Sequence, residues 1–180
     1  MNPSRNARRR AETHIARLGR APIPDLPTLG DRLSHLRGRP LQLLPLRPQA
    51  EVTGVWVALP TTDVIGYRQE TSSPHQQRIV CHEVGHMLAG HDPAPVSAAD
   101  CAQLLVADFP GDLIPDLLAG AVIRMLARGG YGSAVEDEAE LIAGLLCQRF
   151  QRPRVDRRTR DLGVAAVLNR LELAMDGDDE

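Results

Sequence analysis

Apolar residues near the start of the chain recur three and four positions apart. Ala7, Ala11, Ile15 and Leu18 fall on one face, with several arginines opposite, which predicts a helix over residues 4–20. Pro22, Pro24 and Pro27 then form a stiff connector, and Thr28 with Asp31 is positioned to cap a short helix ending near Gly38. The period shortens over 41–46 and 52–59, which read as strands. Residues 52–59 are apolar on both faces, as in a central strand, whereas the mixed character of 62–69 suits an edge. From Ser73 the helical period returns. Ser73, Pro74 and Gln76 stand at the N-cap, first-turn and N3 positions, Val80, Val84 and Leu88 form a buried stripe, and Gly90 can close the helix. Further helices are expected at about 97–108, 115–128, 134–151 and 158–175, ahead of a frayed acidic end, Asp176 to Glu180. Helices, a small antiparallel sheet of about three strands, then helices again make an α+β layout.

Composition narrows the classes. At 180 residues the chain suits one ordinary domain, and with aromatics at 3% its core must be built from Leu, Val, Ile and Ala. A formal charge of −2 supplies no field that would draw in nucleic acid, so no direct nucleic-acid partner is expected. Cys81, Cys101 and Cys147 are odd in number and form no CxxC pair, which argues against a disulfide framework and for a reducing cytoplasm. The basic N-terminus is followed by no apolar stretch, and no run is suited to spanning a membrane.

The chemistry concentrates in His82-Glu83-Val84-Gly85-His86, an HExxH pattern. Residues four apart share a helix face, so both imidazoles can reach one ion, here expected to be Zn²⁺. Glu83 lies about 100° around the helix, near enough to act as a base without entering the coordination sphere. A zinc ion with one open position activates water for attack on a carbonyl. The bland alternative is two histidines on a solvated helix face.

A third protein ligand is needed. His91 is out of register for a third histidine ligand and reads as a helix-terminal residue interacting with the dipole. Downstream, Glu136 and Glu140 share a face with Ala139 and Ala143, whose small side chains would allow close helix approach, while Glu138 points elsewhere. Ser133-x-x-Glu136 is equally a capping box, and spacing alone leaves Glu136 between ligand and cap.

Residues 54–146 resemble the ImmA/IrrE family of metallopeptidases, particularly its actinobacterial members labelled as toxin components or regulators. The resemblance is carried by Tyr67-Arg68, the stretch Thr71 to Gln76, the helix Ile79 to His91, and Glu136-x-Glu-Ala-Glu140. It implies a zincin-like core over 41–151, flanked by an N-terminal helical extension and Pro-rich connector (1–40) and a C-terminal helix with its acidic tail (152–180). It further implies a gluzincin-like site with Glu136 as third ligand. Many relatives have Asp where this chain has Glu140 and an aromatic where it has Ile142, which makes Glu140 a partner that orients a ligand histidine. Several members cleave a helix-turn-helix repressor, which implies a protein regulator as substrate.

The expected reaction is zinc-dependent peptide hydrolysis. His82, His86 and Glu136 would hold the metal, Glu83 would be the base, and Tyr131 leads His75 and Tyr67 as candidate oxyanion donor. The strand at 62–69 could bind substrate backbone by strand addition, and Cys81 reads as a buried thiol rather than a nucleophile. Two other readings stay open: a metal-bearing module that sequesters a partner without cutting it, and a toxin with another target.

Overall fold

The computed structural model describes residues 3–47, 53–92, 94–96, 111, 123–127 and 133–150. Its elements are α1 (Pro3–Ala16), α2 (Leu26–Arg37), β1 (Leu41–Leu46), β2 (Gly54–Ala58), β3 (Asp63–Arg68), α3 (Ser73–Ala89), β4 (Ala94–Val96), β5 (Ile123–Ala127) and α4 (Ser133–Cys147). The architecture is α+β, with one sheet packed against helices, as in zincin-like proteins. The expected helices at 97–108 and 158–175, and Cys101, lie outside the described residues.

The three expected strands are present and adjacent, and two more extend the sheet to the order β1-β3-β2-β5-β4. The pairing is mixed rather than wholly antiparallel: β1 runs parallel to β3, and every other neighbour is antiparallel. The helix expected over 115–128 is corrected at its C-terminal end, where Ile123–Ala127 forms β5. The physical reason lies in β2. A strand buried over nearly its whole length must pair its backbone on both sides, and β5 supplies the side that β3 leaves open.

A second correction concerns β3, which is internal rather than an edge. The polar residue that suggested an edge, Asp63, is fully buried and neutralised. It accepts hydrogen bonds from Trp56 Nε1 (3.1 Å) and Arg37 Nε (2.7 Å), with Arg39 Nε at 3.4 Å. Because Arg37 ends α2 and also lies 5.2 Å from the Trp56 ring centroid, this cluster fastens α2 to the sheet. Strand addition onto 62–69 is thereby excluded, since both edges of β3 are occupied.

Alternation along the strands puts Gly54, Trp56 and Ala58 of β2 on the face opposite Val55 and Val57. Trp56 and its partner Ile65 join Val80, Val84 and Leu88 of α3 and Ile142, Ala143 and Leu146 of α4 in one core. Ala11 and Ile15 of α1, together with Leu18, Leu29 and Leu33, belong to the same core. Arg149 bonds the carbonyls of Ile15 (3.2 Å) and Ala21 (3.1 Å), and Arg17 reaches the Leu88 carbonyl (3.3 Å). The N-terminal helices are thus packed into the layer that carries α3.

Helix boundaries differ slightly from expectation. Asp25, rather than Thr28 with Asp31, caps α2 by accepting from the Thr28 N–H (2.8 Å), and Gly38 closes it. The N-cap of α3 is Ser72, one residue earlier than expected, and its side chain makes no cap bond. Gln76 instead donates to the carbonyls of Gln69 (2.7 Å) and Thr71 (3.1 Å), tying the entering loop to the first turn. Among the described residues no helix is long and apolar enough to cross a membrane.

Candidate metal centre

Helix α3 brings His82 and His86 together because they are one turn apart on the face turned towards α4. Both are buried, and their rings meet edge to face with centroids 4.8 Å apart. Their Nε2 atoms are 3.2 Å apart. From the first turn of α4, Glu136 places Oε2 3.4 Å from His82 Nε2 and Oε1 3.7 Å from His86 Nε2. The three residues can offer ligand atoms that all lie within 4.8 Å of one another. Zinc–ligand bonds of about 2.0–2.2 Å in a tetrahedron put neighbouring ligands about 3.3–3.6 Å apart. The His82–His86 and His82–Glu136 Oε2 separations are close to that spacing, and the other Glu136 oxygen makes the nearer approach to His86.

Two further observations fit a divalent cation to these donors. Glu136 Oε1 is buried and has no hydrogen-bond partner among the described residues, a costly arrangement unless a cation satisfies it. Burial, reinforced by the charges of His82 and His91, holds the His86 pKa down at about 3, so its imidazole is neutral and ligand-ready. The His82/His86/Glu136 cluster therefore has the composition and shape to chelate a divalent metal such as Zn²⁺. Both oxygens of Glu136 face the histidines, which separates it from the capping role that spacing alone allowed.

Close approach of the two helices makes this possible. A Cβ on Gly85 would lie 2.6 Å from the Ala139 carbonyl oxygen and 3.1 Å from its Cα, so only glycine fits at that crossing. Ala139 and Ala143 are fully buried there, as their small size suggested. Glu83 points to the sheet side, where a Cβ on Gly54 would meet its Oε1 at 2.9 Å and Ile79 Cγ2 at 2.5 Å. It lines a pocket with Thr53, Gly54, His75, Arg78 and His82, among others.

Each of the two histidines is also held from behind. Glu140 Oε2 is 3.3 Å from His82 Nδ1, and its other oxygen bonds Arg78. Burial, the strongest influence on Glu140, pushes its pKa up, but the Arg78 hydrogen bond and charge with the His82 contact outweigh it, and the net shift is downward. Glu140 therefore remains a carboxylate. His86 Nδ1 is 2.9 Å from His91 Nδ1, and His91 Nε2 is 3.5 Å from Glu138 Oε2. One expectation is corrected here. His91 does more than sit at a helix end, because Gly90 (φ 76°) turns the chain left-handed and folds the His91 ring back onto His86. Glu138, which its spacing sets apart from the face of Glu136 and Glu140, reaches His91.

Of the candidate oxyanion donors, Tyr131 lies outside the described residues, His75 lines the pocket, and Tyr67 packs half-buried against the core. Cys81 is fully buried, and its hydrogen bond to Cys147, then burial, raise its pKa, which supports the inert-thiol reading. No protein-family model, no curated protein and no solved structure matches the chain, so its own geometry carries the functional assignment.

Proposed function

We propose that the chain is a zinc-dependent peptidase of the gluzincin type. The observation that carries this reading is the convergence of His82, His86 and Glu136, beside a pocket that holds the Glu83 carboxylate. The motif resemblance to ImmA/IrrE peptidases supports the same class and extends it to a protein substrate, such as a helix-turn-helix regulator. The adjacent free thiols of Cys81 and Cys147 suit a reducing cytoplasm.

When bound, the metal would polarise the scissile carbonyl and lower the pKa of a water. His82, His86 and Glu136 would hold it. Glu83, almost wholly buried at the pocket wall, takes a proton from the attacking water and passes it to the leaving nitrogen. Arg78 and Glu140 keep His82 oriented, because a carboxylate can only accept from Nδ1–H and so leaves Nε2 bare. His75 is available in the pocket to donate to the developing oxyanion, and Tyr131 is the other candidate.

The test uses the full-length protein, its zinc content, and cleavage of a purified helix-turn-helix regulator encoded beside its gene. Glu83→Gln is expected to keep about one zinc per chain and to lose cleavage by roughly a hundredfold or more. A Glu83→Gln protein that cuts at the wild-type rate refutes the peptidase mechanism. A zinc-loaded wild-type protein that binds the regulator without cutting it would favour the sequestering module instead.

A further inference from the structure

The two ligand histidines are supported differently. For His82 the partner at Nδ1 is the Glu140 carboxylate, which can only accept and so holds the imidazole proton on Nδ1 whenever a cation occupies the Glu136 side at Nε2. For His86 the partner is another imidazole, whose Nδ1 can either donate or accept. The contact alone therefore permits two arrangements. In one, His86 Nδ1–H donates to a bare His91 Nδ1, and His86 Nε2 is free to bind a metal. In the other, His91 Nδ1–H donates to His86, whose own proton is then forced onto Nε2, between His82 and Glu136, where it blocks the site.

Two carboxylates bear on the choice: Glu136 Oε1, 3.7 Å from His86 Nε2, favours the blocking arrangement when no cation lies between them, and the nearer one, Glu138, favours the other. Glu138 Oε2 lies 3.5 Å from His91 Nε2, and the His91 side chain is only 11% exposed. A carboxylate beside that nitrogen favours a proton on it, and a neutral His91 with its proton on Nε2 has a bare Nδ1. We propose that His91 is a positioning residue which, held by Glu138, sets the tautomer of His86 and so keeps the metal-binding nitrogen free. This rests on the metal reading above. Arg10 also approaches Glu138 (3.5 Å), but its side chain is 62% exposed and solvent screens that pair. The relay thus runs from α4 through the residue beyond Gly90 to the second histidine of α3. Carboxylate–histidine support of this kind commonly changes metal affinity tenfold to a hundredfold.

The experiment measures zinc affinity of the full-length protein by competition with a chromophoric chelator. Wild type, His91→Phe, His91→Gln, Glu138→Gln and His86→Ala are compared. Phenylalanine keeps the ring but cannot accept a hydrogen bond, and is expected to weaken zinc binding by about tenfold to a hundredfold. Glutamine offers an acceptor oxygen and should recover most of that loss, which a merely space-filling role would not predict. Glu138→Gln should fall between wild type and His91→Phe. Long-range ¹H–¹⁵N spectra of the metal-free wild type, with ¹⁵N-labelled histidine, should show His86 protonated on Nδ1 and His91 on Nε2. The proposal is overturned if His86 carries its proton on Nε2, or if His91→Phe binds zinc as tightly as wild type. It is also overturned if Phe and Gln weaken binding equally. Those results leave the metal reading standing provided that wild type binds zinc and His86→Ala does not. If wild type binds none, or His86→Ala binds as well, the metal reading falls and the relay with it.

Discussion

Alanine at position 85 tests whether the centre depends on how closely α3 and α4 pack. The added methyl would sit 2.6 Å from the Ala139 carbonyl oxygen, and ordinary contact begins at 3.4 Å, so the shortfall is about 0.8 Å. Both nearest atoms, that oxygen and the Ala139 Cα at 3.1 Å, are backbone, so no rotamer change relieves the clash. The helices must separate or slide. Glu136 is three residues before Ala139, about one turn along the same helix, and moves with it. A displacement of this size exceeds the roughly 0.5 Å tolerance of a metal or catalytic constellation. Zinc affinity should therefore fall at least tenfold, or about 1.4 kcal/mol.

Global stability should change much less. Overpacking costs about 1–3 kcal/mol, and Gly→Ala in a helix interior returns about 1 kcal/mol, leaving a net loss of about 0–2 kcal/mol. A chelator-competition titration and urea unfolding of the metal-free protein read the two quantities separately. Gly144→Ala on α4 is the control, since its Cβ meets only the end of the flexible Arg78 side chain at 3.4 Å. It should leave zinc affinity within about twofold and not lower stability. Wild-type zinc affinity in Gly85→Ala would refute the link between helix spacing and ligand geometry.

Further outcomes follow from buried groups. Asp63→Ala removes the acceptor shared by Arg37 and Trp56, and should cost about 2–3 kcal/mol in urea unfolding while leaving zinc binding intact. His86 is held near pKa 3 against an ordinary 6.5, first by burial. The unfolded chain therefore binds the extra proton first, so this contribution to stability is intact above pH 6.5 and is lost as pH falls towards 3. In the metal-free protein, stability should fall with a slope of order 1 kcal/mol per pH unit, and His86→Gln should flatten that slope. The Cys147 pKa is lowered to about 7, first by the Cys81 hydrogen bond and then, against burial, by Arg78. Its alkylation should rise through pH 7, as read by peptide mass spectrometry, while Cys81 stays unmodified at neutral pH.

Much of the centre was legible because it is local. HExxH spacing determines that His82 and His86 share a helix face, and the pairing of Glu136 with Ala139 and Ala143 marked a helix built to approach closely. The apolar character of β2 on both faces correctly placed it inside the sheet. Beyond shifts of a few residues at helix caps, the misreadings of the sheet share a cause: each depended on a partner distant in sequence. Asp63 suggested an edge strand because its arginine partners lie 26 and 24 residues away. Residues 123–127 were read as helical because a short apolar run does not reveal that β2 needs a second neighbour.

His91 and Glu138 show the same limit at the site itself. Relative to Glu136, Glu138 points about 200° around α4, so spacing on that helix correctly separates it from the ligand face. Spacing cannot show that the chain reverses at Gly90 and carries His91 round to meet it. The consequence is mechanical. Three carboxylates in one short stretch of α4 engage both histidines: Glu136 from the metal side, Glu140 through His82 Nδ1, and Glu138 through His91. Rotating α4 to improve any one contact would loosen the others. On the proposed function the HExxH helix would supply two ligands and a base, but the rotation of α4, fixed by its packing on Gly85, decides whether they become a metal centre.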